Sequence, residues 1–153
     1  LRQRDTFFHA PGARLKIRES GDGAAELIGY RRADTPEARA SEFVVVPVAN
    51  PAALAAALGW ALGTAGVVEK TRHLFLHRHT RIHVDDVVGL GTFVELETVV
   101  AEQSDEEARA ELEEIAAALR LAPGDHVALP YVELLRRREA GGTSPPSPPT
   151  DQR

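Results

Sequence analysis

The chain contains no cysteine, which excludes disulfides, thiol catalysis and thiolate metal sites; any metal must be held by carboxylate or imidazole. Methionine is also absent and the first residue is Leu1, so an upstream segment is expected to have been removed or left out. No apolar run approaches the ~20 residues of a membrane-spanning helix. The opening residues show no basic-then-apolar leader either. The expectation is a cytoplasmic protein with no membrane partner. Lysine is scarce: of 18 basic residues only Lys16 and Lys70 are lysines and the other 16 are arginines. Positive charge does not dominate, because the net charge is -5, and this argues against a nucleic-acid partner.

With 153 residues, 43% of them hydrophobic and 27% charged, the sequence has the size and balance of one globular domain. Residues 1–139 are expected to form it. Residues 140–153, rich in proline, serine and glycine, are expected to be a disordered tail.

The richest stretch is TRIHVDDVVGLGTFVELETVV, Thr80 to Val100. Charged Arg81, His83 and Asp85 alternate with Thr80, Ile82 and Val84, and Glu95 and Glu97 alternate with Val94 and Leu96. That period of two predicts two strands joined by a glycine turn. Arginine and carboxylate are the groups that bind polyanions and hard metal ions. The same period recurs at Ala13 to Glu19, where Arg14, Lys16 and Arg18 share one face, and at Val67 to His77, where Lys70 and Arg72 do. Like charges this close repel by ~1 kcal/mol or more. Such a face is either solvated or built to receive an anion.

Around these segments the chain reads as strands and a few helices. Phe7 and Phe8 lead into a Pro11-Gly12 turn, SGDGA (20–24) is a hairpin turn, and Glu26 to Arg32 is its returning strand. Residues 33–41 read as a loop, and EFVVVPV (42–48) as a strand placed at an edge or an end by Pro47. Asn50-Pro51 opens a helix through Thr64 that Gly66 closes, with Trp60 expected to pack. Ser104 caps a second helix with Leu112, Ile115 and Leu119 as its buried stripe. Pro123-Gly124-Asp125 is a turn, and 130–138 a short last helix. His73, His77, His79 and His83 bring imidazole, but they fall in a turn or on different strands, so no histidine metal site is expected. About seven hairpin-connected strands with two or three helices predict an α+β fold, an antiparallel sheet or barrel with flanking helices.

ARLKIRE (13–19), LIGYRRAD (27–34), VVEKTRHLF (67–75), TRIHVDDVVGLGTFVELE (80–97) and PYVELL (130–135), taken in order, resemble the CYTH superfamily, the triphosphate tunnel metalloenzymes. The resemblance covers residues 1–137. It implies an eight-stranded antiparallel barrel around a tunnel in which basic residues hold a triphosphate and glutamates hold Mg2+ or Mn2+. Lys16, Arg18, Arg32, Lys70, Arg72 and Arg81 would then grip phosphate oxygens. Glu95 and Glu97 would bind the metal, and Asp85 would assist the metal or orient an arginine. Lys70, Arg81 and Asp85 are the catalytic candidates. The family's E-x-E-x-K strand would precede QRDTFF and is absent from this sequence, so the barrel domain is expected to lack its first strand. The implied substrates are ATP, inorganic tripolyphosphate or thiamine triphosphate. The implied reactions are those of a triphosphatase or of a class IV adenylate cyclase, which the YRRAD and TRIHVDDVVGLG segments resemble. A homodimer is compatible with the resemblance. The alternative is a non-catalytic polyphosphate- or nucleotide-binding module, favoured by the missing half of the metal site.

Overall fold

In the computed structural model, residues 1–31, 42–99 and 103–141 are described. Arg32, the 33–41 loop and all but the first two residues of the predicted tail lie outside them. The elements are β1 (Arg2–Phe8), β2 (Arg14–Ser20), β3 (Ala25–Arg31), β4 (Glu42–Pro47), α1 (Pro51–Leu62), β5 (Thr64–His77), β6 (Thr80–Val87), β7 (Gly91–Thr98), α2 (Asp105–Ala118), a 3-10 turn (Pro123–Asp125) and α3 (Tyr131–Ala140). The seven strands form one sheet in the order β4-β3-β2-β1-β5-β6-β7. Every neighbouring pair is antiparallel.

The α+β class and the antiparallel arrangement are those the sequence predicts. The tunnel implied by the resemblance takes a different form here. Among the described residues β4 and β7 are the edges of the sheet, so it makes a trough whose rims are not hydrogen-bonded to each other. The sheet is nevertheless strongly curved. The Glu95 carboxylate on β7 acts electrostatically on Tyr30 of β3, although five strand steps would separate them by about 24 Å on a flat sheet.

Register decides which side chains face into the trough. Arg18 lies opposite Asp5 and Lys16 opposite Phe7. Arg72 pairs with Asp85, and His83 pairs with Glu95 and Arg81 with Glu97. Residues directly opposite share a face, so every charged residue singled out in the described strands points to the same, concave side. β1 was not assigned as a strand from the sequence, yet it is the central one. It is flanked by β2 and by the first half of β5, while the second half of β5 pairs with β6.

Among the described helices, α3 brings side chains to the charged residues of that side. α1 packs against β1 and β2, where Phe8 and Ile17 are buried. α2 packs against β7 and begins at Ser104, whose hydroxyl accepts the Glu107 N–H in a capping box. α3 packs against β5 and closes one end of the trough. Its Tyr131, Val132 and Leu135 lie on a core of Phe7, Val68 and Val87.

Several expectations are corrected. α1 stops at Leu62 because Gly63 leaves the helical conformation at a positive φ of 78, and its N–H returns to the Gly59 carbonyl. Thr64 therefore begins β5, three residues earlier than Val67. Gly66 has a different function from ending the helix. It lies opposite Phe7, next to a register shift, and a Cβ there would stand 2.8 Å from Val132 of α3. Trp60 is 89% exposed and packs in no core. Leu119 is also exposed, and the buried stripe of α2 is Ala108, Glu111 and Ile115. Glu111 takes a core position because its carboxylate accepts hydrogen bonds from the Thr80 hydroxyl at 2.7 Å and the His79 N–H at 3.0 Å. Among the described residues no helix is long and apolar enough to cross a membrane.

Candidate functional site

Two neighbouring clusters dominate the trough, and their geometry is the same. On β1 and β2, Lys16 Nζ donates to Asp5 Oδ2 at 2.6 Å, while Arg18 donates from Nε to Oδ1 at 2.8 Å and from Nη2 to Oδ2 at 2.7 Å. On β5 and β6, Lys70 Nζ donates to Asp85 Oδ2 at 2.7 Å, and Arg72 donates from Nε to Oδ1 and from Nη2 to Oδ2, both at 2.6 Å. Each is a Lys-x-Arg strand facing one aspartate on an antiparallel neighbour. The planar guanidinium meets both carboxylate oxygens and the ammonium takes one of them again. The aromatic setting repeats as well: Lys16 Nζ lies 5.3 Å from the Phe7 ring centre and Lys70 Nζ 5.3 Å from that of Tyr131.

Asp85 has no exposed surface and Asp5 is 3% exposed. Burial alone would raise the pKa of Asp5, but the Arg18 hydrogen bonds and the Lys16 and Arg18 charges outweigh it and hold the carboxyl down to about 2. Asp85 is lowered in the same way by Arg72 and Lys70 against the opposing effect of burial. The lysines move the other way from their usual value. Burial pulls Lys16 down to about 8 despite the Asp5 charge. Burial, and then the Arg72 charge, lower Lys70. For Arg72 the opposing effect of burial is exceeded by the Asp85 and Glu95 carboxylates, which raise its pKa.

The second cluster continues into β7. Arg72 Nη2 also donates to Glu95 Oε2 at 2.7 Å. His83 is buried beside it, with Nδ1 3.6 Å from Glu95 and Nε2 3.9 Å from Glu97. Burial would raise the pKa of Glu95; the nearby His83 ring and the Arg72 and Lys70 charges override this and lower it. Glu97 and Arg81, 3.5 Å apart and each about half exposed, lie toward the end of the trough opposite α3. At the closed end, Tyr131 Oη donates to Asp85 Oδ2 at 3.3 Å. Burial, followed by the Asp85 charge, raises the pKa of that phenol.

The structure thus brings Lys16, Arg18, Lys70, Arg72, Asp85 and Glu95 into one field of charge. It places Arg81 and Glu97 at its open end. Arg32 lies outside the described residues. Sequence reasoning missed Asp5 and Tyr131, and it named His83 in the alternation of β6 without giving it a place in the site. Asp5 had a readable signal: it stands 13 residues from Arg18, as Arg72 stands 13 from Asp85, which is one spacing repeated across two hairpin-type pairings.

Glu95 and Glu97 occupy alternate positions of β7 and face the trough side by side, an oxygen donor pair of the kind a hard divalent cation accepts. Such ions complete their shell with substrate phosphate and water oxygens. Among the described residues no group of three or more His, Asp or Glu side chains forms a metal site by itself. By donor chemistry the two carboxylates could supply only part of the shell of the implied Mg2+ or Mn2+.

Comparison with solved structures finds the same fold elsewhere. The PH1012 protein of Pyrococcus horikoshii superposes with a TM-score of 0.79 at 20% identity, over 88% of this chain and 82% of that one. A conserved hypothetical protein of Pyrococcus furiosus gives 0.77 at 24%, over 87% and 82%. A Vibrio parahaemolyticus protein whose name proposes an adenylate cyclase gives 0.64 at 22%, over 88% and 80%. No curated protein matches the chain. The CYTH domain matches residues 1–131, the whole sheet with α1 and α2, and the chain belongs to the CYTH domain family.

Proposed function

We propose that this chain is a metal-dependent enzyme acting on triphosphate compounds, with the trough as its active site. The observation that carries this reading is the pair of Lys-x-Arg clusters, aimed along one concave face and adjacent to the Glu95 and Glu97 carboxyl groups. One phosphate needs one such cluster; a chain of phosphates makes use of both.

In this reading Lys16, Arg18, Lys70 and Arg72 hold non-bridging oxygens and offset the charge that builds on them as a phosphoryl group transfers. Arg81 meets the substrate at the open end. Asp85, with its lowered pKa, is a poor base and serves to aim Lys70 and Arg72. Glu95 and Glu97 would hold Mg2+ or Mn2+, which neutralises phosphate charge when bound. Two reactions suit this arrangement. In a triphosphatase, a water oxygen bonds to the terminal phosphorus, the bond to the bridging oxygen breaks and the diphosphate leaves. In a class IV adenylate cyclase-like reaction, the ribose 3′-hydroxyl attacks the α-phosphorus and pyrophosphate leaves, giving the cyclic nucleotide. The resemblance of YRRAD and TRIHVDDVVGLG favours the second.

The test is turnover of ATP, tripolyphosphate and thiamine triphosphate with Mg2+ or Mn2+, resolving phosphate, pyrophosphate and cyclic nucleotide. Glu95→Gln is expected to lower turnover by about 100-fold or more, and chelation of the metal to abolish it. A folded chain that binds these compounds but turns over none of them would instead be a polyphosphate-binding module. That second reading is favoured by one observation: Glu95, half of the carboxyl pair, is already held by Arg72.

A further inference from the structure

We propose that Asp5 is a positioning residue of the trough, fixing the directions in which Lys16 and Arg18 present their N–H groups to an anion, as Asp85 does for Lys70 and Arg72. The inference rests on the triphosphate reading above and assigns a role to a residue that reading does not use.

The geometry makes the case. Asp5 accepts three hydrogen bonds of 2.6 to 2.8 Å from the two cations, atom for atom the pattern at Asp85. Both carboxylates are buried, but the cations around them differ in what else holds them. Arg72 has a second carboxylate partner in Glu95, and Asp85 has a third donor in Tyr131. Asp5 is the carboxylate that takes both hydrogen bonds of the Arg18 fork. The β1–β2 cluster therefore owes its shape to Asp5 to a degree that the β5–β6 cluster does not owe to Asp85.

Asp5 also acts on the charge of Lys16. That ammonium faces Asp5 and Phe7 from β1, Arg14 and Arg18 from its own strand, Glu26 and Tyr30 from β3 and Lys70 from β5. Burial and the neighbouring cations press it toward the neutral amine, and the Asp5 charge opposes them.

A mere counter-ion and a positioning residue make opposite predictions. Removing a negative charge beside an anion site should by itself tighten anion binding. Removing the group that aims two donors and keeps one of them protonated should weaken it. The experiment is calorimetric titration of the folded chain and of Asp5→Asn with inorganic tripolyphosphate, from about pH 6 to about pH 9. The expected result is about tenfold weaker binding near neutral pH, with the loss of affinity at high pH beginning at a lower pH than in the unaltered chain. Tighter binding at every pH, with that limb unmoved, would overturn the proposal while leaving the triphosphate reading intact. Failure of the unaltered chain to bind tripolyphosphate would overturn both. Should Asp5→Asn not fold, Asp5→Glu decides: it keeps the charge but displaces it by one methylene, so weaker binding supports positioning and unchanged binding contradicts it.

Discussion

At the scale of single residues, the trough depends on charges that are costly to bury and therefore come in sets. Lys16, Arg18, Lys70 and Arg72 were legible because a strand repeats every two residues, so the sequence itself places each pair on one face. Asp5 was not singled out. Within RQRDTFF it looks like one more surface charge, and the 13-residue spacing that it shares with the Arg72–Asp85 pair gains meaning only once the register of the folded sheet is seen. Lys16 also makes a testable link with pH. The folded pKa of Lys16, about 8, lies below its ordinary 10.5, so between those values the unfolded chain binds more protons. Its contribution to stability must then rise with pH across that window. Triphosphate binding, which needs the ammonium, must fall as pH passes about 8. Urea unfolding and tripolyphosphate titration over the same pH range are expected to show these opposite trends for the unaltered chain, and Lys16→Gln is expected to weaken both, leaving the part that the lowered Lys70 contributes.

At the scale of elements, most strands and all three helices follow from local signals: Asn50 and Ser104 as caps, glycine turns, and alternation in β2, β5, β6 and β7. What the sequence did not disclose was which helix covers which part of the sheet, because that depends on contacts between distant segments. α3 is the clearest case. It seats Val132 against β5 at a point where Gly66 has no side chain, and it delivers Tyr131 to Asp85. The alanine-rich α1, by contrast, lies on the sheet with a face that is only partly covered, which is why Trp60 found no core. Gly66→Ala would push a methyl into Val132 and is expected to destabilise the chain by about 1–3 kcal/mol. Denaturant unfolding checks this, and Val132→Ala added to Gly66→Ala should recover part of the loss.

At the scale of the whole molecule, curvature turns a charged sheet face into a site. Arg18 on β2 and Glu95 on β7, four strand steps apart, act on one another across the trough, which a flat sheet would prevent. The class of fold was legible from hairpin spacing, and the family from the ordered run of motifs. The open order of the sheet was not, because pairing of the outer strands depends on the most distant segments of the chain. Pro47 did mark β4 as an edge or an end, and β4 is an edge; that Phe43, Val44, Val45 and Val46 all stay exposed along it is what no periodicity in EFVVVP discloses.

The central claim is that both Lys-x-Arg clusters receive one chain of phosphates. Because Lys16 and Lys70 are the only lysines, 13C labelling of lysine at Cε gives one side-chain signal from each cluster. The most direct measurement is to follow those two signals by NMR while inorganic tripolyphosphate is added. The account predicts that both move together and saturate at the same concentration. Signals that stay in place in a folded chain, or a shift of one without the other, would contradict it.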